Sequence, residues 1–213
     1  IRQGDRAQTN YRRFETLPRR NSMQVKISII ILNYCSLKDT ENLVAQLLDI
    51  KDNIQIIIVD NGSPDDSYNH LMTQFGGYSN VHLIRNEYNL GYASGNNVGI
   101  RYALETLKSP YVAIMNPDVE VAEDYFRNMM GYLETDQKIA AITGIMLDRH
   151  STLHVASIAW KIPSNLDDIF LSSGLLTRMY NPVKYDTFSN VGHVNPGIYY
   201  VDIIPGSCFV IRS

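Results

Sequence analysis

The residues whose types and spacing could do chemistry are Asn116 and Asp118, which close the apolar run Tyr111-Val112-Ala113-Ile114-Met115 with Pro117 between them. A buried strand that ends in an amide and a carboxylate aims two oxygen donors into the crevice beyond its carboxyl end, where open α/β sheets bind ligands. Such oxygens suit a hard cation, Mg2+ or Mn2+, and a cation held there can neutralise a diphosphate. The same residue types also build ordinary turns. What surrounds them decides between the two. Asp60 likewise ends an apolar run over residues 54–59, and Gly91, Gly95 and Gly99 lead into a helical pattern. A glycine-rich stretch entering a helix can present backbone N–H groups to phosphate.

The elements that must position these residues are legible as alternating units. Residues 25–32 are β-branched and nearly continuous, the form of a strand covered on both faces. Asn33-Tyr34-Cys35-Ser36 breaks the run, and Leu37, Leu43, Val44, Leu47 and Leu48 then recur at helical spacing, with Ser36 and Asp39 placed like a capping pair. After the strand at 54–59, Ser63 as N-cap, Pro64 at the first helical position and Asp66 in the first turn predict a helix. Tyr68, Leu71, Met72 and Phe75 form its apolar face, and Gly76-Gly77 stops it.

A third strand covers 81–85. A loop follows, then a helix whose apolar side is Val98, Ile100, Tyr102, Leu104 and Leu107. The strand at 111–115, a helix at about 123–133 and a strand at 139–145 complete the alternation, which predicts an α/β fold with a mostly parallel sheet between helices. The glycine stretch lacks Gly-x-Gly-x-x-Gly spacing and lies too far past its strand for a dinucleotide fingerprint, which disfavours a nicotinamide-dependent oxidoreductase.

A chain of 213 residues with 45% hydrophobic content has room for one domain or slightly more and a proper core. No apolar run approaches the roughly 20 residues needed to cross a bilayer, and no signal-peptide pattern opens the chain. Cys35 and Cys208 stand alone, with neither a disulfide framework nor metal-ligand spacing, so a reducing cytoplasm is the simplest compartment. Six arginines against two acids give residues 1–22 a charge of +4, leaving −7 for the rest of a chain whose net charge is −3. The first 22 residues read as a basic leader or a vector-derived segment, poorly ordered, and the acidic remainder is a poor nucleic-acid surface.

Five blocks in order, Ile29-Ile30-Ile31-Leu32-Asn33-Tyr34, Val59-Asp60-Asn61-Gly62-Ser63, Asn89 through Ile100, Met115-Asn116-Pro117-Asp118 and Gly206-Ser207-Cys208-Phe209-Val210-Ile211-Arg212, make the sequence resemble the family 2 glycosyltransferases. Within them it looks most like the rhamnosyl- and galactofuranosyltransferase-like branch. The resemblance runs from about Val25 to the last residue. It implies the GT-A fold, a Rossmann-like mostly parallel sheet flanked by helices with a smaller mixed acceptor-side region. It also implies a nucleotide-diphosphate sugar donor, a divalent cation and inversion at the anomeric carbon, in an enzyme of polysaccharide biosynthesis.

Carried onto this sequence, the resemblance sets Tyr34 against the donor's base and makes Asp60 the acceptor for the ring N–H of uracil or thymine, hence a UDP- or dTDP-sugar. Asn116 and Asp118 occupy the Asp-x-Asp position, Asp118 as metal ligand and Asn116 nearer the ribose. The neutral amide lowers the charge on the cation site. Gly91, Gly95 and Asn96 match the loop near the nucleotide-sugar, although glycine there serves helix packing equally well.

The general base of the family lies in an acidic motif after the block ending at Arg212, and so would fall beyond Ser213. Asp202 is the internal substitute, which the alternation with Val201 and Ile203 also explains as the polar side of a strand. The expected division is therefore residues 1–22, a nucleotide-sugar-binding part at 23–145, and the incomplete start of an acceptor-side region at 146–213.

In that last region His150 and His154 lack the glutamate of a zinc helix and read as ordinary polar residues. Residues 165–180 form an amphipathic pattern through Ile169, Phe170, Leu175, Leu176 and Met179, interrupted by Gly174. It would pack on further protein or touch a membrane carrying a lipid-linked acceptor, at the inner face. The expected acceptor is a glycan or lipid-linked saccharide. Two other classes compete. A nucleotidyltransferase should show a basic, glycine-rich first loop, which Asn33-Tyr34-Cys35-Ser36 is not, although Lys38 follows. A non-catalytic sugar-nucleotide-binding module would bind donor without turnover.

Overall fold

The computed structural model describes residues 11–12, 26–145 and 198–213. In chain order the elements are β1 (Tyr11–Arg12), β2 (Ile27–Asn33), α1 (Leu37–Asp49), β3 (Ile54–Asp60), α2 (Ser67–Phe75), β4 (Val81–Arg85), α3 (Tyr92–Arg101), β5 (Tyr111–Met115), α4 (Tyr125–Thr135), β6 (Ala141–Ile142), β7 (Ile198–Tyr199) and β8 (Cys208–Arg212). A π-helical turn, Tyr102–Thr106, continues α3.

The chain divides into two compact units. One comprises Ile1–Pro18 with Ile145–Pro205, the other Arg19–Gly144 with Gly206–Ser213. In the first, β1 and β7 pair antiparallel, with Tyr11 opposite Tyr199. Asp202 belongs to this unit and is exposed. Residues 201–203 form no strand beyond a single bridge at Ile203, so the alternation around Asp202 does not mark the face of a sheet.

The second unit is a six-stranded sheet in the order β4-β3-β2-β5-β8-β6. The first four strands run parallel, and β8 is antiparallel to both β5 and β6. Strand side chains alternate between faces. Ile27, Ile29 and Ile31 therefore pack with Leu43, Val44 and Leu47 of α1, Leu71 and Phe75 of α2, and Phe126, Met130 and Leu133 of α4. Ile30, Ile57, Val59, Val112 and Ile114 face the other way, against Ala103 and the half-buried Val98, Ile100 and Leu107. The continuous apolar runs of β2, β3 and β5 follow from this cover on both sides.

Local expectations meet the structure unevenly. α1 begins at Leu37 after Ser36 as its pattern predicts, but the Ser36 side chain makes no capping bond. α2 begins at Ser67 rather than just after Ser63. The Ser63 hydroxyl is engaged elsewhere, accepting from Cys35 N at 3.1 Å and Asn33 Nδ2 at 3.3 Å. Asp65 Oδ1 instead accepts from Ser67 N at 3.2 Å.

α3 starts at Tyr92, so the glycine-rich stretch is itself helix and not the loop before one. Its glycines face the sheet: a Cβ on Gly99 would lie 2.7 Å from Ile30 Cγ2 and 3.2 Å from Val59 Cγ2, and one on Gly95 would lie 2.6 Å from Leu32 Cδ1. The last strand of the alternation shrinks to the two residues of β6. Residues 1–10 and 13–22 of the leader, residues 23–25, His150, His154 and the amphipathic pattern at 165–180 lie outside the described residues. No helix among the described residues is long and apolar enough to cross a membrane.

Candidate active site

Parallel pairing brings the ends of three strands together. Asn33 stands beside Asp60, and Ile31 pairs with Met115, so residues 34, 61 and 116 emerge together at the carboxyl ends of the parallel strands. A pocket of about 440 Å³ opens there. One wall comes from the end of β2 and the start of α1, with Leu32, Tyr34, Ser36 and Asp39. Asn61 lies between the walls. Asn89, Gly91 and Tyr92 form a second wall, and Asn116, Pro117 and Asp118 a third.

Asn61 organises the glycine-rich entry. Its Oδ1 accepts from Asn86 Nδ2 at 3.0 Å and Leu90 N at 3.2 Å, while its Nδ2 donates to Asn89 Oδ1 at 2.9 Å and Gly91 O at 3.3 Å. Two acceptances and two donations exhaust the amide. The segment 86–91 also lies on Gly62, where φ is +73° and a Cβ would come within 2.6 Å of the Tyr88 backbone. Only glycine suits both that conformation and that approach.

Gly91, with φ at +78°, is the residue before α3, and among the described residues no side chain caps this helix. The N–H groups of Tyr92, Ala93 and Ser94 therefore lack side-chain caps at an exposed helix start, a natural place for anionic oxygens.

The Asn33–Asp60 pair lies below this surface. Asp60 is 1% exposed. Its Oδ2 accepts from Asn33 Nδ2 at 2.8 Å and its Oδ1 from Ser63 N at 3.1 Å. Thr40 Oγ1 donates to Asn33 Oδ1 at 3.0 Å, which ties α1 to the same buried network. Above it the chain bends through Cys35, whose φ of 51° is unusual for a residue with a side chain. Burial pushes the Cys35 thiol above the ordinary cysteine range, and the charges of Asp65 and Asp60 add to that.

The structure places Tyr34, Gly91, Asn116 and Asp118 in the pocket lining. It places Asp60 beneath it. Gly95 and Asn96 are buried in α3, where Asn96 Nδ2 bonds back to the Tyr92 carbonyl at 2.9 Å. Residue types had not singled out Ser36, Asn61, Asn89 or Tyr92 as pocket residues, nor Asp39 beyond its capping position. Asn61 could have been found from its place one residue past the strand, since neighbouring side chains there point opposite ways. Tyr92 lies within the block Asn89 through Ile100, but as one aromatic among small residues it was given no role of its own.

Asp39 and Asp118 are exposed, and among the described residues neither carboxylate has a hydrogen-bond or ion-pair partner. No group of three or more His, Cys, Asp or Glu that could hold a metal occurs among the described residues. The donors at the Asn-Pro-Asp turn nevertheless fit a cation shared with a ligand, because Mg2+ and Mn2+ bind one or two protein oxygens together with phosphates and water. Burial holds the Tyr92 phenol above the ordinary tyrosine range, with the Asn96 amide working against that, so its O–H is intact at neutral pH.

Comparison with known proteins agrees with this architecture. The family described as Glycosyl transferase family 2 matches residues 28–194. The low-salt glycan biosynthesis hexosyltransferase Agl10 of Haloferax volcanii is 28% identical over 88% of this chain and 52% of its own length. An uncharacterized glycosyltransferase of Haemophilus influenzae is 24% identical over 76% of this chain and 50% of its own. The chain thus spans about half the length of these curated relatives.

Among solved structures, the mannosyltransferase PcManGT from Pyrobaculum calidifontis, in complex with GDP-Man and Mn2+, superposes with a TM-score of 0.57 at 14% identity, covering 87% of this chain and 44% of that one. Residues 1–349 of TarS from S. aureus give 0.51 at 15% identity, covering 70% and 44%. These likenesses show a shared GT-A fold. With more than half of its residues matched by the family and its strand ends gathered on one pocket, the chain belongs to glycosyltransferase family 2.

Proposed function

We propose that this chain binds a UDP- or dTDP-sugar together with Mg2+ or Mn2+ and provides the donor side of an inverting transfer to a hydroxyl of a glycan or lipid-linked saccharide, in the rhamnosyl- and galactofuranosyltransferase-like branch. Residues 23–145, with β8 completing their sheet, form the donor-binding part, and the acceptor side begins at residue 146. The observation that carries this reading is the meeting, in one pocket, of the Asp118 carboxylate and the start of α3, neither with a side-chain partner among the described residues, the Asn116 amide and the exposed Tyr34 ring.

Asp118 and Asn116 would hold the cation, which when bound offsets the negative charge that builds on the departing diphosphate. The chain's own groups do the rest. The N–H groups of Tyr92, Ala93 and Ser94 face diphosphate oxygens, and Tyr34 lies against the base. Asp39, on the same wall as Tyr34, takes the part that the resemblance gave to Asp60, accepting the ring N–H that uracil and thymine offer. Asp60 contributes indirectly, through Asn33 and Ser63, by fixing the bend that carries Tyr34.

Calorimetry with UDP, dTDP and GDP, with Mn2+ or with a chelator, tests the proposal. Cation-dependent binding that favours the pyrimidine diphosphates and loses most of its cation effect in Asp118→Asn is the expected result. Affinity indifferent to chelator would sink the assignment of Asp118, and equal affinity for GDP would sink the assignment of the base.

A further inference from the structure

Tyr92 Oη lies 3.2 Å from Asn116 Oδ1 and 3.0 Å from the carbonyl oxygen of Gly206. Both neighbours are acceptors, and a phenol has one proton. It can serve one of them fully. The Gly206 side is held in place by an independent bond, since Asn116 N donates to Ser207 O at 2.8 Å. The carbonyl next to that anchor is therefore the fixed acceptor, and Asn116 is the partner free to adapt.

An asparagine adapts by turning its amide half a revolution, which exchanges an oxygen for an NH2 of nearly the same size. Turned that way, Asn116 Nδ2 donates to Tyr92 Oη and Tyr92 donates to Gly206 O, so no second acceptor competes for the one phenol proton. Asn116 Oδ1 is then released from Tyr92. The unturned amide leaves the phenol shared between two acceptors and occupies the oxygen that a cation would need.

We infer that Tyr92 is a positioning residue that selects the amide orientation of Asn116, presenting its oxygen rather than its NH2 to a divalent cation and diphosphate in the pocket. The inference rests on the reading that Asn116 and Asp118 hold the cation. One additional hydrogen bond in the selected orientation amounts to a preference of roughly 3- to 10-fold. An NH2 group in the same place would repel the ion. An aspartate at position 116 would need no such selection, because either end of a carboxylate is an oxygen.

The test is a double-mutant cycle on cation affinity, measured by calorimetry of Mn2+ binding in the presence of UDP. Tyr92→Phe keeps the ring in the pocket wall and removes only the hydroxyl. It is expected to weaken Mn2+ binding about 3- to 10-fold, and a thermal melt matching that of the unsubstituted protein shows that the pocket is folded. In the Asn116→Asp background the same substitution is expected to cost less than twofold.

An equal loss in both backgrounds or no loss in either would overturn the role of Tyr92. Asp118→Asn serves as the separate check on the site itself. If it leaves Mn2+ binding intact, the cation reading fails and the inference falls with it; if it abolishes binding while Tyr92→Phe changes nothing, only the inference fails.

Discussion

Asn33 Nδ2 donates to Asp60 Oδ2 across 2.8 Å, joining the last residues of two neighbouring parallel strands below the pocket surface. A carboxylate committed in this way is part of the scaffold that shapes the site. In Asp60→Asn one acceptor oxygen becomes an NH2 facing either Asn33 Nδ2 or Ser63 N–H, which leaves a buried donor unpaired. The expected loss of stability is about 1–3 kcal/mol. Thermal melting measures it, and the ratio of UDP to GDP affinity is expected to stay put. A collapse of that ratio in a protein of unaltered stability would make Asp60 the reader of the base.

Asn61 uses both ends of its amide, so Asn61→Asp keeps two bonds and sets an oxygen against Asn89 Oδ1 and Gly91 O. The segment 86–91 should loosen. Faster hydrogen exchange across those residues and weaker UDP binding are expected together, with a stability loss on the order of 1–3 kcal/mol. Unchanged exchange would show that Asn61 is not the hub of that segment.

The two sheet-facing glycines of α3 separate stability from binding. Gly99→Ala drives a methyl into Ile30 and Val59 and is expected to cost about 1–3 kcal/mol in denaturant titrations. Gly95→Ala meets Leu32 and, at 3.1 Å, the Asn61 amide, so it should reduce UDP affinity more than Gly99→Ala does. The reverse order of binding effects would contradict the close seating of α3.

Cys35 is exposed, yet its thiol is shifted upward by burial and by Asp65 and Asp60. A raised pKa means less thiolate at a given pH. Alkylation by iodoacetamide at pH 8 is therefore expected to be slower than for a free cysteine, to keep rising above pH 9, and to quicken in Asp65→Asn. Cys208, buried and pushed up to about 11, should label only on unfolding. Mass spectrometry against pH distinguishes the two sites, and equal labelling rates would refute both expectations.

Strand ends were legible because an apolar run covered on both faces stops abruptly at a polar residue, as β5 does before Asn116 and the run 56–59 of β3 does at Asp60. The direction of a side chain at such an end was harder to read. Asp60 and Asn61 are consecutive and both buried, yet only Asn61 borders the pocket. α3 escaped the periodicity because its closest contacts with the sheet are made by the absence of side chains at Gly95 and Gly99. Ser63 has the chemistry of a helix cap, but a hydroxyl accepts from whichever N–H reaches it, and Cys35 N reaches it first in space. Tyr92 became visible only when the turn at Asn116 and the strand entry at Gly206 were seen beside it.

The antiparallel insertion of β8 between β5 and β6 bears on how the polypeptide is made. Tyr111 pairs with Arg212 and Met115 with Cys208, contacts separated by roughly a hundred residues, so this junction forms late and raises the entropy that folding must overcome. Until Cys208–Arg212 has left the ribosome, β5 offers one side of five buried residues as an unpaired edge. Such an edge is a template for strands of other molecules. A fragment ending at Gly144 would keep the helices and the four parallel strands, and should self-associate through β5, whereas a chain reaching Arg212 closes that edge with β8.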